Sequence, residues 1–340
     1  MKLAVVFLAC LCSATSVFAG SGNRTGTNGA SELLIPIGTR DIAMGGSTVA
    51  LSSGPEALFW NPAGIGGVSH NVTLYASHMS YIADIGVECA SAAVDFGGFG
   101  VLALQLKALA IGTIPVTTVT TPDGSGQTFT PQFFTIGLTY GRQLTDRIRV
   151  GVTATLISET MAEVSATGFA FDVGVIYSNL AGVQGLNFGV VVKNIGPQMK
   201  FSGPGMNVTA SPTDLNRPAY VYSTEAEPFE LPSTIEFGFG YQTTLGEDAT
   251  IAASTAFQNN NFGDDAYRIG IECGYQKIVF LRAGYDFAPP ENTVRQNIFG
   301  AALGTGVHAT VGTMEVTFDY AYRFARYFDG NHVFSMKLGL

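Results

Sequence analysis

The stretch Met314-Glu315-Val316-Thr317-Phe318-Asp319-Tyr320-Ala321-Tyr322-Arg323-Phe324 decides the fold. Its even positions are all large and apolar, and its odd positions are charged, polar or small. Successive side chains of a strand point to opposite faces, so this segment has one apolar face and one polar face. The same alternation recurs along the chain. Ile235, Phe237, Phe239 and Tyr241 alternate with Glu236, Gly238, Gly240 and Gln242. Tyr267, Ile269, Ile271, Cys273 and Tyr275 alternate with Arg268, Gly270, Glu272 and Gly274. About fourteen such segments follow one another, near 70–80, 84–94, 99–110, 132–143, 147–159, 164–178, 185–195, 232–245, 249–259, 265–275, 277–287, 296–306, 312–324 and 331–340.

Composition says what the apolar faces meet. Only 13% of the 340 residues are charged, against about 25% in an ordinary soluble protein. The net charge of −9 argues against nucleic acid as a partner, because such a partner calls for a basic patch. After the N-terminus no apolar run reaches the roughly eighteen residues of a membrane helix. Only helices and closed barrels satisfy every backbone polar group in lipid. The expectation is therefore an all-β fold, an antiparallel transmembrane β-barrel of about fourteen strands. The connections agree. Numbered in order, the even ones are mostly short, and the odd ones include the long ones at 111–131, 196–231 and 288–295. Bacterial barrels have short periplasmic turns and long outer loops. A soluble β-sandwich also alternates, but it has no reason to sort its loops by parity.

Met1–Ala19 reads as a cleavable signal peptide: Lys2, the apolar run Leu3–Leu11, then small residues before Gly20. The expected organisation is a signal over 1–19, an N-terminal plug or hatch over 20–66 and a barrel over 67–340, in the outer membrane of a diderm bacterium. Outer-membrane lipid and the barrel-assembly machinery are the expected partners. Leu340 stands where the assembly signal usually has an aromatic residue, but Phe334 and the apolar alternation keep most of that signal. Cys89 and Cys273 alone remain after the signal, too few for a disulfide framework. The four histidines are scattered, no nucleophile–base arrangement stands out, and no metal, cofactor or enzymatic activity is expected.

The alternation also assigns a lumen. Its expected charges are Glu88, Lys107, Arg149, Asp172, Lys193, Glu236, Arg268, Glu272, Arg282, Asp286, Glu315, Asp319, Arg323 and Lys337, seven acidic and seven basic. Charges held in a low-dielectric wall must be paired or hydrated, so balanced signs suggest ion pairs across strands. Many lumen-facing positions are glycine, which leaves room for another chain segment to approach the wall. The candidate is 20–66, which does not alternate, read as a plug in the periplasmic mouth. Ser53-Gly54-Pro55-Glu56 has capping-box spacing before Ala57-Leu58-Phe59-Trp60, and Asn61-Pro62 stops that short helix.

The stretches Gly38-Thr39-Arg40-Asp41-Ile42-Ala43-Met44-Gly45-Gly46-Ser47-Thr48-Val49-Ala50 and Glu56-Ala57-Leu58-Phe59-Trp60-Asn61-Pro62-Ala63-Gly64-Ile65 resemble the N-terminal signature of the PorV/PorQ family. That family is similar in turn to the FadL-type long-chain fatty-acid transporters. The resemblance implies a fourteen-stranded outer-membrane barrel with a hatch. It marks Arg40, Asp41, Gly45, Gly46, Asn61, Pro62, Ala63 and Gly64 as the hatch motif. It also implies a role in type IX protein secretion, in which the barrel binds or shuttles secreted cargo or meets other secretion components. The outer loops 111–131 and 196–231 would then supply the binding surface, with Phe201, Tyr220, Tyr222 and Phe229 of the second as contact candidates. The alternative is a FadL-like transporter of hydrophobic small molecules. The charged lumen weighs against that alternative, because a lipid path calls for an apolar tunnel.

Overall fold

The computed structural model describes residues 26–68, 70–210, 219–288 and 298–340. The signal-peptide expectation at Met1–Ala19 lies outside the described residues, as do 289–297 of one long connection and 211–218 of another.

A closed barrel of fourteen antiparallel strands forms the molecule. In chain order its strands are β1 (Val72–Ser80), β2 (Gly86–Asp95), β3 (Val101–Ala110), β6 (Gln132–Thr145), β7 (Ile148–Met161), β8 (Val164–Tyr177), β9 (Leu186–Ile195), β12 (Thr234–Leu245), β13 (Ala249–Asn260), β14 (Ala266–Tyr275), β15 (Val279–Phe287), β16 (Phe299–Val311), β17 (Met314–Ala325) and β18 (Asn331–Gly339). Two small hairpins lie in the long connections: β4 (Ile114–Pro115) with β5 (Thr128–Phe129), and β10 (Asn207–Ala210) with β11 (Tyr220–Ser223). Each barrel strand pairs with its neighbour in the chain. The barrel closes where β1 pairs with β18, from Thr73 opposite Gly339 to Ser80 opposite His332.

The period of two fixes which residues face out. On β8, Phe169, Phe171, Val173 and Val175 are exposed while Ala166, Ala170 and Asp172 are buried. On β12, Ile235, Phe237, Phe239 and Tyr241 face out and Glu236 is fully buried. Aromatic pairs such as Phe188–Phe239 and Phe237–Phe257 join neighbouring strands on that outer face. Closure removes every sheet edge, so the wall presents apolar side chains outward with no unpaired backbone.

Residues 26–68 run through the lumen. At the end with the long connections, Asn28 bridges to Glu230 and the Gly29 amide donates to the Glu230 carbonyl at 3.2 Å. At the end with the short turns, Gly66 lies against the Arg142 backbone. A plug confined to one mouth is therefore too small a picture: the segment extends from one end of the lumen to the other. It contains two short helices, α1 (Thr39–Ala43) and α2 (Ala57–Trp60), joined by single 3-10 turns. The capping box does not form, since no side chain caps the turn at Gly54–Glu56. Glu56 reaches the wall instead, where its carboxylate meets Lys337. Asn61 does stop α2: its backbone is extended, and its Oδ1 accepts from the Ala63 amide at 3.1 Å.

Candidate functional site

The hatch is seated on glycines. A Cβ on Gly304 of β16 would overlap Ala43, and one on Gly284 of β15 or Gly270 of β14 would overlap the Met44 backbone. Gly189 of β9 and Gly240 of β12 make the same room for the turn at Val49–Leu51. Gly141, Gly151 and Gly174, on β6, β7 and β8, make it for Asn61–Ile65. On the one strand of this run without such a glycine, β13, the Ser254 hydroxyl meets Ser47 Oγ at 2.6 Å. Only glycine lets two backbones approach so closely.

The hatch motif is the other half of this fit. Gly45 and Gly46 both have positive φ, and a Cβ on Gly46 would strike the Trp60 ring. Asn61 Nδ2 lies within hydrogen-bond distance of the carbonyls of Val49, Val175 and Val190, so one amide ties the hatch to itself and to β8 and β9. The Pro62 carbonyl lies over Gly151, Ala63 is fully buried, and Gly64 passes the Ser52 carbonyl too closely for any side chain. Arg40 forms a two-point contact with Glu272 of β14, at 2.8 and 2.9 Å. Glu272 also accepts from Arg282 at 2.6 Å, and Arg282 reaches Asp319 at 2.5 Å. Glu56 accepts from Lys337 Nζ at 3.0 Å. Burial alone would raise the Glu56 carboxyl, but Lys337 and then Arg40 hold it below the usual range. Asp41 is buried beside the Thr48 and Ser52 hydroxyls. Burial, and next the nearby Glu56 carboxylate, push its carboxyl up to about 7.

Beyond the hatch, toward the long loops, a cavity of about 490 Å³ opens inside the barrel. Its wall carries the remaining expected charges. Glu236 pairs with Lys193 at 3.4 Å and with Arg268 at 3.2 Å. Asp286 lies 3.6 Å from both Arg268 and Arg323. Asp172 accepts from the Asn194 amide at 2.7 Å, at a break in the β8–β9 register that turns both Lys193 and Asn194 to the cavity. Lys107 donates to the Glu32 carbonyl at 2.6 Å. The hatch supplies a different surface: Ile35, Ile42, Leu58, Phe59 and Trp60 form an apolar floor. Lys193 and Arg268 stand over the Trp60 ring, at 5.6 and 5.9 Å from its centre. The indole donates to the Ile37 carbonyl at 2.6 Å, which fixes the ring.

The expected lumen charges thus fall into three groups. Glu272, Arg282, Asp319 and Lys337 surround the hatch. Lys107, Asp172, Lys193, Glu236, Arg268, Asp286 and Arg323 line the cavity. Arg149 and Glu315 lie toward the short turns, with Arg149 beneath Gly67 and Glu315 accepting from His70 Nε2 at 2.8 Å. Glu88 is a correction. It points outward and pairs with His78 at 2.6 Å, with about half of each side chain exposed. The inner face of β2 is Val87, Cys89, Ser91 and Ala93, buried under the hatch, and its outer face is Glu88, Ala90, Ala92 and Val94. Each face is mostly small and apolar with one polar residue, so alternation does not mark the inside there. Glu159 of β7 is the inner acid that was missed; it shares a face with Arg149, and that parity was the signal.

The four outer-loop aromatics separate into two pairs. Phe201 and Phe229 stack at 5.5 Å and pack with Leu33, Ile157, Met199 and Leu231. Tyr220 and Tyr222 are exposed on the β10–β11 hairpin.

No family model matches the sequence, and no curated protein matches it. Solved structures do match the fold. The CymD monoaromatic hydrocarbon channel is 14% identical with a TM-score of 0.54, over 90% of this chain and 97% of that one. The Pseudomonas putida toluene transporter TodX is 11% identical with a TM-score of 0.54, over 89% and 96%. A Pseudomonas aeruginosa FadL homologue is 13% identical with a TM-score of 0.50, over 88% and 97%. The barrel has a FadL-like fold. In bacterial outer-membrane barrels the long loops face outward and the short turns face the periplasm.

Proposed function

We propose that this barrel is an outer-membrane channel for small hydrophobic or amphipathic compounds, with the cavity above the hatch as its binding site. The observation that carries this reading is the cavity's two-sided lining. Its floor is apolar and aromatic, and its wall is polar and internally paired. Ligand sites are commonly concave, of this size, mostly apolar, with a few placed polar groups. A charged wall alone argued against hydrophobic cargo. The hatch removes that objection, because it brings the apolar surface that the strands lack. The fold shared with hydrocarbon channels adds support by analogy.

Trp60 is the only tryptophan of the chain and lies in the cavity floor. Titrating the purified barrel with toluene is expected to quench its fluorescence saturably. Expression in a diderm strain without channels of this kind is expected to raise toluene uptake. No quenching together with no uptake would end this reading.

The secretion role implied by the PorV/PorQ resemblance has one supporting feature, the exposed Tyr220–Tyr222 hairpin. Its test is co-purification of secreted cargo with the barrel, lost on deletion of 196–231.

A further inference from the structure

We infer that the compound held above the hatch carries a neutral hydrogen-bond-accepting oxygen, the carbonyl of a ketone or ester, which Lys193 Nζ and the Thr234 hydroxyl receive together while its apolar body lies on Trp60. This rests on the channel reading above and adds the chemistry of the ligand.

Thr234 of β12 and Lys193 of β9 stand directly opposite each other in the strand register, and both line the cavity. Thr234 is 2% exposed, and its hydroxyl has no hydrogen-bond partner. Buried polar groups in folded proteins are nearly always paired, and an unpaired one is costly. An orphan hydroxyl in a cavity wall therefore points to an atom of the ligand. Lys193 points the same way. An ammonium has three N–H donors. Among the described residues Lys193 makes one hydrogen bond, a long one of 3.4 Å to Glu236. Lysine donates and cannot accept, so the atom that this ammonium and this hydroxyl can share is an acceptor. Gln105 Oε1, also unpartnered in the lining, is itself an acceptor and has no part in receiving one.

The backbone fixes the two donors. The β8–β9 register shifts between Phe171 and Val173, and Asn194, next to Lys193, has a φ of 59°. Bulges beside functional sites commonly re-aim a side chain. Asn194 ties this one on both sides. Its amide donates to Asp172 Oδ1 at 2.7 Å, and its Nδ2 donates to the carbonyl of Pro232, two residues before Thr234, at 3.0 Å. Glu236 is a positioning residue: fully buried, it accepts from Lys193, Arg268 and Gln258. Lys193 Nζ also stands 5.6 Å from the centre of the Trp60 ring. An oxygen received there sets the attached carbons against Trp60 and the apolar floor. Charge selects the kind of oxygen. Among the described residues the cavity lining has four acidic and four basic side chains. A carboxylate would leave one negative charge in excess in a low-dielectric space, whereas a carbonyl keeps the balance. A plain hydrocarbon would leave both donors unused.

Calorimetry on the purified barrel compares acetophenone with cumene, which has nearly the same shape and no oxygen. Acetophenone is expected to bind at least about tenfold tighter. Thr234→Val keeps the shape of the side chain and removes only an unpartnered hydroxyl, so it is expected to fold. Lys193→Met keeps the length of the side chain without the ammonium. Each is expected to cut the acetophenone-to-cumene affinity ratio at least about threefold. A merely structural loss would weaken both compounds alike and leave the ratio where it was. Equal affinities in the unmodified barrel overturn the acceptor assignment and leave the channel reading standing. A ratio that survives in both variants overturns it too, because other groups would then be receiving the oxygen. Benzoate is expected to bind more weakly than acetophenone, and binding as tight or tighter overturns the neutral carbonyl in favour of a carboxylate. If neither acetophenone nor cumene binds, the channel reading falls and this inference falls with it.

Discussion

The glycine side and the side-chain side of the lumen wall face the same hatch and do opposite things. On β6 to β16 the wall offers glycines on every strand but β13, and hatch backbone or short hatch side chains rest on them. On β18 to β3 the wall offers side chains, apolar Met79, Val87 and Val333 together with hydroxyls, a thiol and long polar chains, and the hatch packs on those. Both sides obey one alternation, so what differs is only the size of the inward residue. A small residue makes a seat, and a larger one makes a surface that can repack. The ion pairs divide in the same way. Glu272 has two cations, Arg40 and Arg282, whereas Glu56 has Lys337 as its side-chain partner. Lys337→Met therefore tests the weaker side first. It strands a buried carboxylate and is expected to cost about 3–5 kcal/mol in urea unfolding of the detergent-solubilised barrel. Arg40→Met leaves Glu272 with Arg282 and is expected to cost less, about 1–3 kcal/mol. Equal losses would erase the distinction.

Asp41 tests the hatch from within. Its folded pKa of about 7 lies above its ordinary 3.8, so the folded hatch keeps a proton that the unfolded chain releases. That contribution is fully present below about 3.8 and is lost as pH rises through about 7. Asp41→Asn is expected to stabilise the hatch above pH 7 and to change nothing near pH 4. Hydrogen exchange of residues 39–50 across that range reads the effect, and superimposed curves at pH 8 would contradict it.

Volume sharpens the comparison further. Gly151→Val and Gly284→Val put carbons into the hatch backbone and are expected to cost about 1–3 kcal/mol each by overpacking. Ser91→Val, on the other side, replaces an unpartnered hydroxyl and is expected to cost under about 1 kcal/mol. In the cavity, Trp60→Leu removes the aromatic floor between Lys193 and Arg268. It is expected to weaken toluene binding about tenfold by calorimetry.

The barrel was legible in the sequence because lipid on one side and a wet lumen on the other impose strict alternation. Strand number, loop parity and most of the inward charges follow from that single constraint. The glycines were legible too, as places where something comes close. The cavity floor was not. Its apolar residues, Leu58, Phe59 and Trp60, belong to a segment with no period of two, so strand parity could not assign them to the lumen. Reading the lumen from its strands alone made it look too polar for hydrophobic cargo. Glu88 failed for a related reason. Where the hatch covers β2, the inner face is mostly apolar, with Ser91 its one polar side chain, and the outer face carries Glu88, so polarity no longer separates them.

The outer loop 196–231 carries the smallest expected effects, and it separates two readings. Phe229 stacks on Phe201 and covers Gly29 of the hatch, so it belongs to the packed interior even though its chain lies in a loop. Phe229→Ala is expected to cost about 1–2 kcal/mol of barrel stability through lost apolar burial. Tyr220 and Tyr222 stand on a two-stranded hairpin whose residues are all exposed. An exposed side chain with no packed partner contributes within about 0.5 kcal/mol. The double variant Tyr220→Ala, Tyr222→Ala is therefore expected to match the unmodified barrel in urea unfolding, in Trp60 quenching and in toluene uptake. A loss of uptake would make the hairpin part of the entry to the cavity. A loss of bound secreted protein with uptake unchanged would instead favour the secretion reading, since nothing in the channel reading requires these two rings.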